Sequence, residues 1–538
     1  MNRRDALRQG TGLVAGWAGA ATSVWGVGYP QAKKPPNVLI LMADQLNASA
    51  LSCYGGPIPT PNLERLASRG VTFTEATCTT PFCSPSRASL ITGRYPHSHG
   101  IVYNVNKVDY PAIVAAGQSP PTEQGITAAD VTTEKLLNAA GYSTHHYGKW
   151  HLSDNGGLPY YPDTYGEHLE YERELQDVFE RIRERPRDTW MDWYNWALPV
   201  TISPAYAKAA AVRRERWEKD KKRDFIIEFI SKTGRLNLPV EQVFDYRVAE
   251  RTIHRLRSVG AHPFMITCSL NWPHDPNVVP SPYYDQFDPG RIKLPANFAN
   301  PPEALFANEV SRQIVADAGE HSEAAIRELL RIYFGCVRLV DDQVGRVLDT
   351  LNRTARADDT IVIFTADHGD MAGGHGMFWK STSSFYDEIA RIPYIISYPK
   401  YIPPGRSQIA ASLVDIMPTI LDLVGQPIPE GVQGESLAPY LLGKRDPASA
   451  RAYSFCERVH GNAEHTREVA PDTRASFMVR GRGWKYVTYP EGEEFLYHLA
   501  QDPGEAQNLA GHAAYQEQKA TLRRELDTWL KNTAFERG

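Results

Sequence analysis

The segment NVLILMAD, Asn37–Asp44, is an unbroken apolar run closed by an acid. A strand with one face in water alternates apolar and polar residues. A strand with no polar face has to be covered on both sides, as the central strands of a parallel sheet are. PFMITCSLN (Pro263–Asn271), the opening of TIVIFTADHGD (Thr360–Asp370) and PYIISYP (393–399) repeat the pattern, and YSTHHY (142–147) also reads as a strand. Helical segments alternate with these runs. Thr60–Gly70 is entered through a proline and closed by Gly70, VTTEKLLNAAG (131–141) is stopped by Gly141, and a long helical pattern fills Ile326–Leu351. Such alternation predicts an α/β fold: a large, mostly parallel sheet between helices.

A chain of 538 residues exceeds the roughly 250–300 that one core serves, so a second, smaller domain is expected. From about Asp446 the runs shorten and alternate, in Ser476–Pro490 and Glu494–Glu505, and a helical pattern at Tyr515–Asn532 follows. That reads as a small antiparallel-sheet-plus-helix domain over 446–538, with the main domain at 33–445. Within the latter, 163–257 is charged, helical and aromatic, and reads as an insertion or cap.

Composition excludes several classes. Net charge is −5 with no long single-sign run, which argues against nucleic acid as a partner. The basic stretch Val212–Arg223 is interrupted by acids and reads as a solvated helix face. Six cysteines, at 53, 78, 83, 268, 336 and 456, show no C-x-x-C pair and are too sparse for a disulfide framework. At the N-terminus, Arg3 and Arg4 precede a Gly/Ala-rich stretch with small residues at Ala18 and Ala20. Residues 1–32 thus resemble a twin-arginine-type export signal with its linker, implying a periplasmic or secreted protein. The stretch contains no cysteine for a lipid anchor and, like every other apolar run here, falls short of the roughly 18 residues of a membrane span.

In open parallel sheets, sites form at the carboxyl ends of strands. The first run delivers Asp44 and Gln45. YSTHHY leads into Lys149 and His151, Pro263–Asn271 into His274, and TIVIFTAD into Asp367 and His368, with Lys380 beyond. Asp44, Gln45, Asp367 and His368 offer hard oxygens and an imidazole to a divalent cation. Lys149, Lys380 and Arg87 supply positive charge for a multiply charged oxyanion, and His151 and His274 can serve as base and acid. A metal facing several cations implies an anionic group between them, and sulfate and phosphate esters are the candidates.

The remaining feature is PFCSPSRASLITGRYPHSHG, Pro81–Gly100. Its C-x-P-S-R followed by T-G-R resembles the signature of the formylglycine-dependent (type I) sulfatases of the alkaline phosphatase superfamily. NVLILMADQ, GYSTHHYGKWHL, PHDP, TADHGD and LYHLAQDPGEAQNLA extend the likeness over nearly the whole mature chain. The resemblance implies an alkaline-phosphatase-like fold, with 33–445 as the catalytic domain. It implies that a formylglycine-generating enzyme, reading Pro85 and Arg87, converts Cys83 to formylglycine, whose hydrated aldehyde attacks sulfur. Asp44, Gln45, Asp367 and His368 with modified Cys83 would hold one metal. Arg87 and Lys149 would hold the formylglycine and the sulfate. His151 would assist the diol, and His274 and Lys380 would contact the sulfate and the leaving oxygen. In the implied sequence one hydroxyl attacks, the alcohol leaves, and a sulfate hemiacetal collapses to release sulfate, which a serine ester could not do.

Two positions depart from the commonest family pattern, where a second Asp stands in place of Gln45 and an Asn in place of His368. Calcium is the first choice of metal by family, and the softer set admits manganese. The DQ…DHGDM pairing is similar to choline-sulfatases and phosphonate monoester hydrolases, so phosphodiester or phosphonate hydrolysis is the alternative. A sulfated carbohydrate or a small sulfate ester is the expected substrate. A non-catalytic glycan-binding relative would be expected to show degraded motifs, whereas every motif here keeps its reactive residue. The cluster Asp188–Trp196 reads as core packing of the insertion or as a sugar-stacking surface. His97, His99 and Asn104 lie close enough to Cys83 in sequence to line a pocket.

Overall fold

A computed structural model describes residues 35–105, 125–127, 129–152, 199–207, 211, 215, 219, 233–300, 323–354, 356–380, 384–460, 474–490 and 492–535. The segment 1–32, the cluster Asp188–Trp196 and most of Val212–Arg223 lie outside them.

The strands are β1 (Asn37–Asp44), β2 (Val71–Phe73), β3 (Ser143–Gly148), β4 (Val200–Ile202), β5 (Gly234–Leu236), β6 (Phe264–Pro273), β7 (Val278–Pro280), β8 (Thr360–Ala366), β9 (Tyr394–Ser397), β10 (Gly405–Ser407), β11 (Ser454–His460), β12 (Arg474–Gly481), β13 (Trp484–Thr488) and β14 (Glu494–His498). The principal helices are α1 (Pro61–Ala67), α2 (Cys83–Thr92), α3 (Thr133–Ala139), α4 (Phe244–Ser258), α5 (Glu323–Arg353), α6 (Ile416–Leu423) and α7 (Gln516–Asn532).

Seven strands form the main sheet in the order β10-β2-β9-β8-β1-β6-β3. β8, β1, β6 and β3 are consecutive neighbours and mutually parallel. Only β9 runs against its neighbours β8 and β2. All eight residues of β1 are buried, and its alternate side chains enter different cores. Val38, Ile40 and Met42 join Met265, Ile361 and Met417 on one face. Leu39 and Leu41 join Ile266, Phe364 and the apolar stripe of α5 on the other. This two-sided burial is what the unbroken apolar run demanded.

The C-terminal strands form a four-stranded antiparallel sheet, β11-β12-β13-β14. Phe477, Val479, Tyr486 and Leu496 pack on Leu522, Leu526 and Trp529 of α7. The opposite face, with Cys456, Met478, Val487 and Phe495, is continuous with the first core of the main sheet. A third sheet, β4-β5-β7, is small. Within 163–257 the described residues therefore include two short strands as well as helix, and α4 buries Val248, Ala249 and Ile253 with Ile266 and Cys268 of β6. No helix among the described residues is long and apolar enough to cross a membrane.

Candidate active site

The carboxyl ends of β8, β1, β6 and β3 converge on the amino end of α2. That helix begins at Cys83, after Phe82 in extended conformation, and all ten of its residues are buried. Asn104 Oδ1 accepts the Ser84 amide at 3.1 Å and so caps the first turn. His99 also braces the helix, through Ser89 Oγ at 3.1 Å. Gly93 closes it in left-handed conformation, φ 64°. At the end of β3, Gly148 sits at φ 91° with Ser269 O only 2.0 Å from where a Cβ would lie, so only glycine lets the chain turn into Lys149.

Cys83 is fully buried and lies 3.2 Å from His368 Nε2, 3.3 Å from Lys380 Nζ, 3.8 Å from Asp44 Oδ1 and 3.9 Å from Lys149 Nζ. Burial acts to raise its pKa, but Lys149, Lys380 and His368 outweigh that and hold the thiol well below its ordinary value.

Arg87, one turn along α2 from Cys83, ties the two carboxylates together. Its NH2 donates to Asp44 Oδ2 at 2.8 Å and its Nε to Asp367 Oδ2 at 2.8 Å. Its NH1 reaches Lys149 O and Ser269 Oγ, both at 2.9 Å. Lys149 Nζ pairs with the same Asp44 Oδ2 at 2.7 Å. Burial and the Cys83 charge push the Asp44 pKa up, yet Lys149 and Arg87 prevail and keep it ionised. Asp367 shifts upward, through burial and the facing Asp44.

Lys380 Nζ donates to His274 Nε2 at 2.7 Å, and His274 Nδ1 lies 2.7 Å from Asp275 O. Only the Nδ1-protonated neutral imidazole satisfies both contacts. Burial opposes the charge on Lys380, but Cys83, Asp275 and Asp44 hold it protonated. His151 has left-handed backbone, φ 57°, and its buried Nδ1 has no partner. Burial, with Lys149 and Arg87 adding to it, lowers its pKa to about 4, so it is a neutral base near pH 7.

Asp44, Cys83, Asp367 and His368 bring one ligand atom each within 4.8 Å of one another. His368 Nδ1 donates to Gly369 O at 2.9 Å. Burial opposes a second proton on the ring, but Asp367 and Cys83 outweigh it and raise the pKa to about 9, so a cation would take the Nε2 lone pair by displacing that proton. Asp367 Oδ1 is fixed by the amides of Gln45 at 3.0 Å and His368 at 2.9 Å. Gln45 Oε1 is buried without a hydrogen-bond partner. A buried amide oxygen without a partner, on the residue that follows Asp44 and whose main-chain amide reaches Asp367, fits a divalent cation held by the group.

All the residues singled out at the strand ends, together with Arg87, are thus brought together. Sequence reasoning missed their supports. Ser86 Oγ donates to Asp367 O at 2.6 Å and Ser84 Oγ to His151 O at 2.6 Å, while Ser269 buttresses Arg87. Asp245, at the start of α4, accepts the amides of Asn271 at 2.7 Å and Trp272 at 2.9 Å, which fixes the turn that carries His274. Burial pushes Asp245 up to about 7 and Asp370 to about 6. A large cleft lined in part by Arg391, Arg406 and Arg482 includes none of the groups facing Cys83.

The sequence profile of the sulfatase family matches residues 36–426, and that of the N-sulphoglucosamine sulphohydrolase C-terminal region matches 373–532. An N-acetylglucosamine-6-O-sulfatase of Bacteroides thetaiotaomicron is 26% identical over 95% of this chain and 89% of its own. A choline-sulfatase of Rhizobium meliloti is 28% identical over 90% of this chain and 85% of its own. In structure, a phosphonate monoester hydrolase from Silicibacter pomeroyi superimposes with a TM-score of 0.68 over 93% of this chain and 96% of its own, at 24% identity, a likeness of fold alone.

Proposed function

The chain belongs to the sulfatase family of the alkaline phosphatase superfamily and hydrolyses sulfate esters, and on that footing we propose that its substrate is a sulfated carbohydrate and its nucleophile a formylglycine made from Cys83. The observation that carries the nucleophile assignment is the convergence of Lys149, Lys380, His368 and Asp44 on Cys83 Sγ within 3.9 Å. As formylglycine, that position supplies a hydrated aldehyde able to expel bound sulfate without a separate water attack. Asp44, Gln45, Asp367 and His368 would hold a divalent cation, calcium in preference to manganese, which when bound would supply Lewis-acid polarisation of the ester.

This chain's own residues do the rest. Arg87 and Lys149 bind the sulfate oxygens and keep Asp44 ionised. Lys149 and Lys380 both reach Cys83 Sγ, which suits an anionic ester at that position. The Lys380–His274 pair holds a proton at the leaving oxygen. His151, neutral in its buried setting, takes the proton from the diol. Conversion of Cys83 to an uncharged aldehyde removes the thiolate that favours imidazolium there, so His151 stays a base in the mature enzyme. The carbohydrate assignment is supported by the glycan-directed relative, and residues 1–32 direct the protein to the periplasm or exterior.

The test is mass measurement of the tryptic peptide 70–87 after co-expression with a formylglycine-generating enzyme, followed by turnover of aryl and glycan sulfates. The protein is first reduced and denatured, because Cys78, the alkylation control in the same peptide, lies 3.9 Å from Cys456 Sγ. An aldehyde at position 83 with sulfate release is expected. Complete alkylation of Cys83 in an active preparation defeats the nucleophile assignment. Faster turnover of an aryl phosphonate than of any sulfate would move the chain to the alternative reaction.

A further inference from the structure

Gln45 directly follows β1 and has left-handed backbone, φ 61°, which a non-glycine residue seldom adopts. Its main chain is held there by the donation from its amide to Asp367 Oδ1 at 3.0 Å. The side-chain amide has two unlike ends, a donor NH2 and an acceptor oxygen, and a cation can be met by only one of them. Nothing in the backbone decides which end faces the carboxylate cluster.

Asp370 decides it. Its Oδ2 accepts Gln45 Nε2 at 2.6 Å, a short contact for an amide donor. With the NH2 committed to Asp370, Oε1 points the other way, and it is this atom that is buried without a partner. Asp370 is itself immobilised. Its Oδ1 accepts the Ala372 amide at 2.7 Å, its carbonyl accepts Asn47 Nδ2 at 3.0 Å, and it is 3% exposed. An ionised carboxylate accepts only, so it tolerates one amide orientation. Asparagine in its place tolerates both.

We propose that Asp370 is a positioning residue that fixes the Gln45 amide with its oxygen toward the metal, the task that a plain carboxylate at position 45 would not require. This rests on Gln45 being a metal ligand. Calorimetric titration of the metal-free protein with Ca2+, and with Mn2+, compares wild type with Gln45→Ala, Asp370→Asn and the double variant Asp370→Asn/Gln45→Glu. Gln45→Ala tests the ligand itself, and undiminished affinity there removes the premise. Given a weakened Gln45→Ala, Asp370→Asn is expected to lose about tenfold in affinity, the usual effect of freeing an outer partner. The double variant is expected to recover it, because either oxygen of a carboxylate serves and the side-chain amide introduced by Asp370→Asn can donate to the other. Wild-type affinity in Asp370→Asn, or a loss in Asp370→Asn that glutamate at 45 does not repair, overturns the proposal. Thermal midpoints of the metal-free proteins accompany the titrations, and a loss explained by a lowered midpoint alone counts against positioning as well.

Discussion

Two clusters of buried charge stand at opposite kinds of task. At the small sheet, Lys485 is fully buried and pairs with Asp387 Oδ1 at 2.5 Å and Glu505 Oε1 at 2.7 Å. Arg480 pairs with Asp387 at 2.7 Å and Glu75 at 2.5 Å. Arg391 Nε lies 3.5 Å from Asp387 Oδ2 as well. Three cations and three carboxylates there end on one another, and Arg480 with Lys485 holds Asp387 well below the carboxylate range in spite of its burial. At Cys83 two lysines converge on one sulfur instead, while Gln45 Oε1 and His151 Nδ1 stay unpartnered. A matched cluster has spent its charge on the fold. An unmatched one keeps charge in hand for a ligand, at the expense of stability.

The largest separation between the two is expected on removing one lysine from each. Lys380→Met should lower kcat by about 10³-fold, as loss of a preorganised electrostatic group does, and leave the thermal midpoint unchanged or raised. A fall in midpoint equal to that of a junction variant would erase the distinction. Lys485→Met should cost about 3–5 kcal/mol of stability, measured by denaturant unfolding, because it strands two buried carboxylates. Its turnover per folded molecule should stay near wild type. Removal of metal by chelation comes next. At free ion 100-fold above its Kd, the bound ion contributes about 2.7 kcal/mol, and Asp367→Asn should abolish that increment while Lys485→Met retains it.

The smallest effect is in pH. His97 Nδ1 lies 2.6 Å from Glu457 Oε2 and its Nε2 3.1 Å from Thr533 O. Both partners are acceptors, so the ring is doubly protonated. Burial and Arg94 oppose that charge, and Glu457 with the Thr533 carbonyl outweighs them to raise the pKa above 6.5. A raised pKa in the folded state means stabilisation that is complete below 6.5 and lost as pH climbs through the folded value. The stability difference between wild type and His97→Gln should therefore be about 1.5–3 kcal/mol at low pH and shrink in alkali. A gap that widens with pH would reverse the assignment.

Much of the site was legible in sequence because the physics was local. β1, β6 and β8 read as buried runs, and the ends of parallel strands collect polar groups, so Asp44, His274, Asp367 and His368 could be placed together before any geometry. The three-residue strands β2 and β10 were not legible, being too short for a period. Nor were the supports. Asp245 holds a turn 26 residues away, Ser269 meets Arg87 across 182, and Asp370 meets Gln45 across 325. A serine or aspartate of that kind carries no mark until the chain is folded. His97 shows the reverse error, since proximity to Cys83 in sequence suggested the pocket and the fold sends it to Glu457.

The small sheet lends one face to the main core, and β11 donates from the Glu457 amide to Thr79 O, four residues before Cys83. The small sheet, 454–498, follows Cys83 in the chain, so the Cys83 loop is made before the surface that packs beside it. Slower synthesis between the two would lengthen the interval in which that loop lacks this cover.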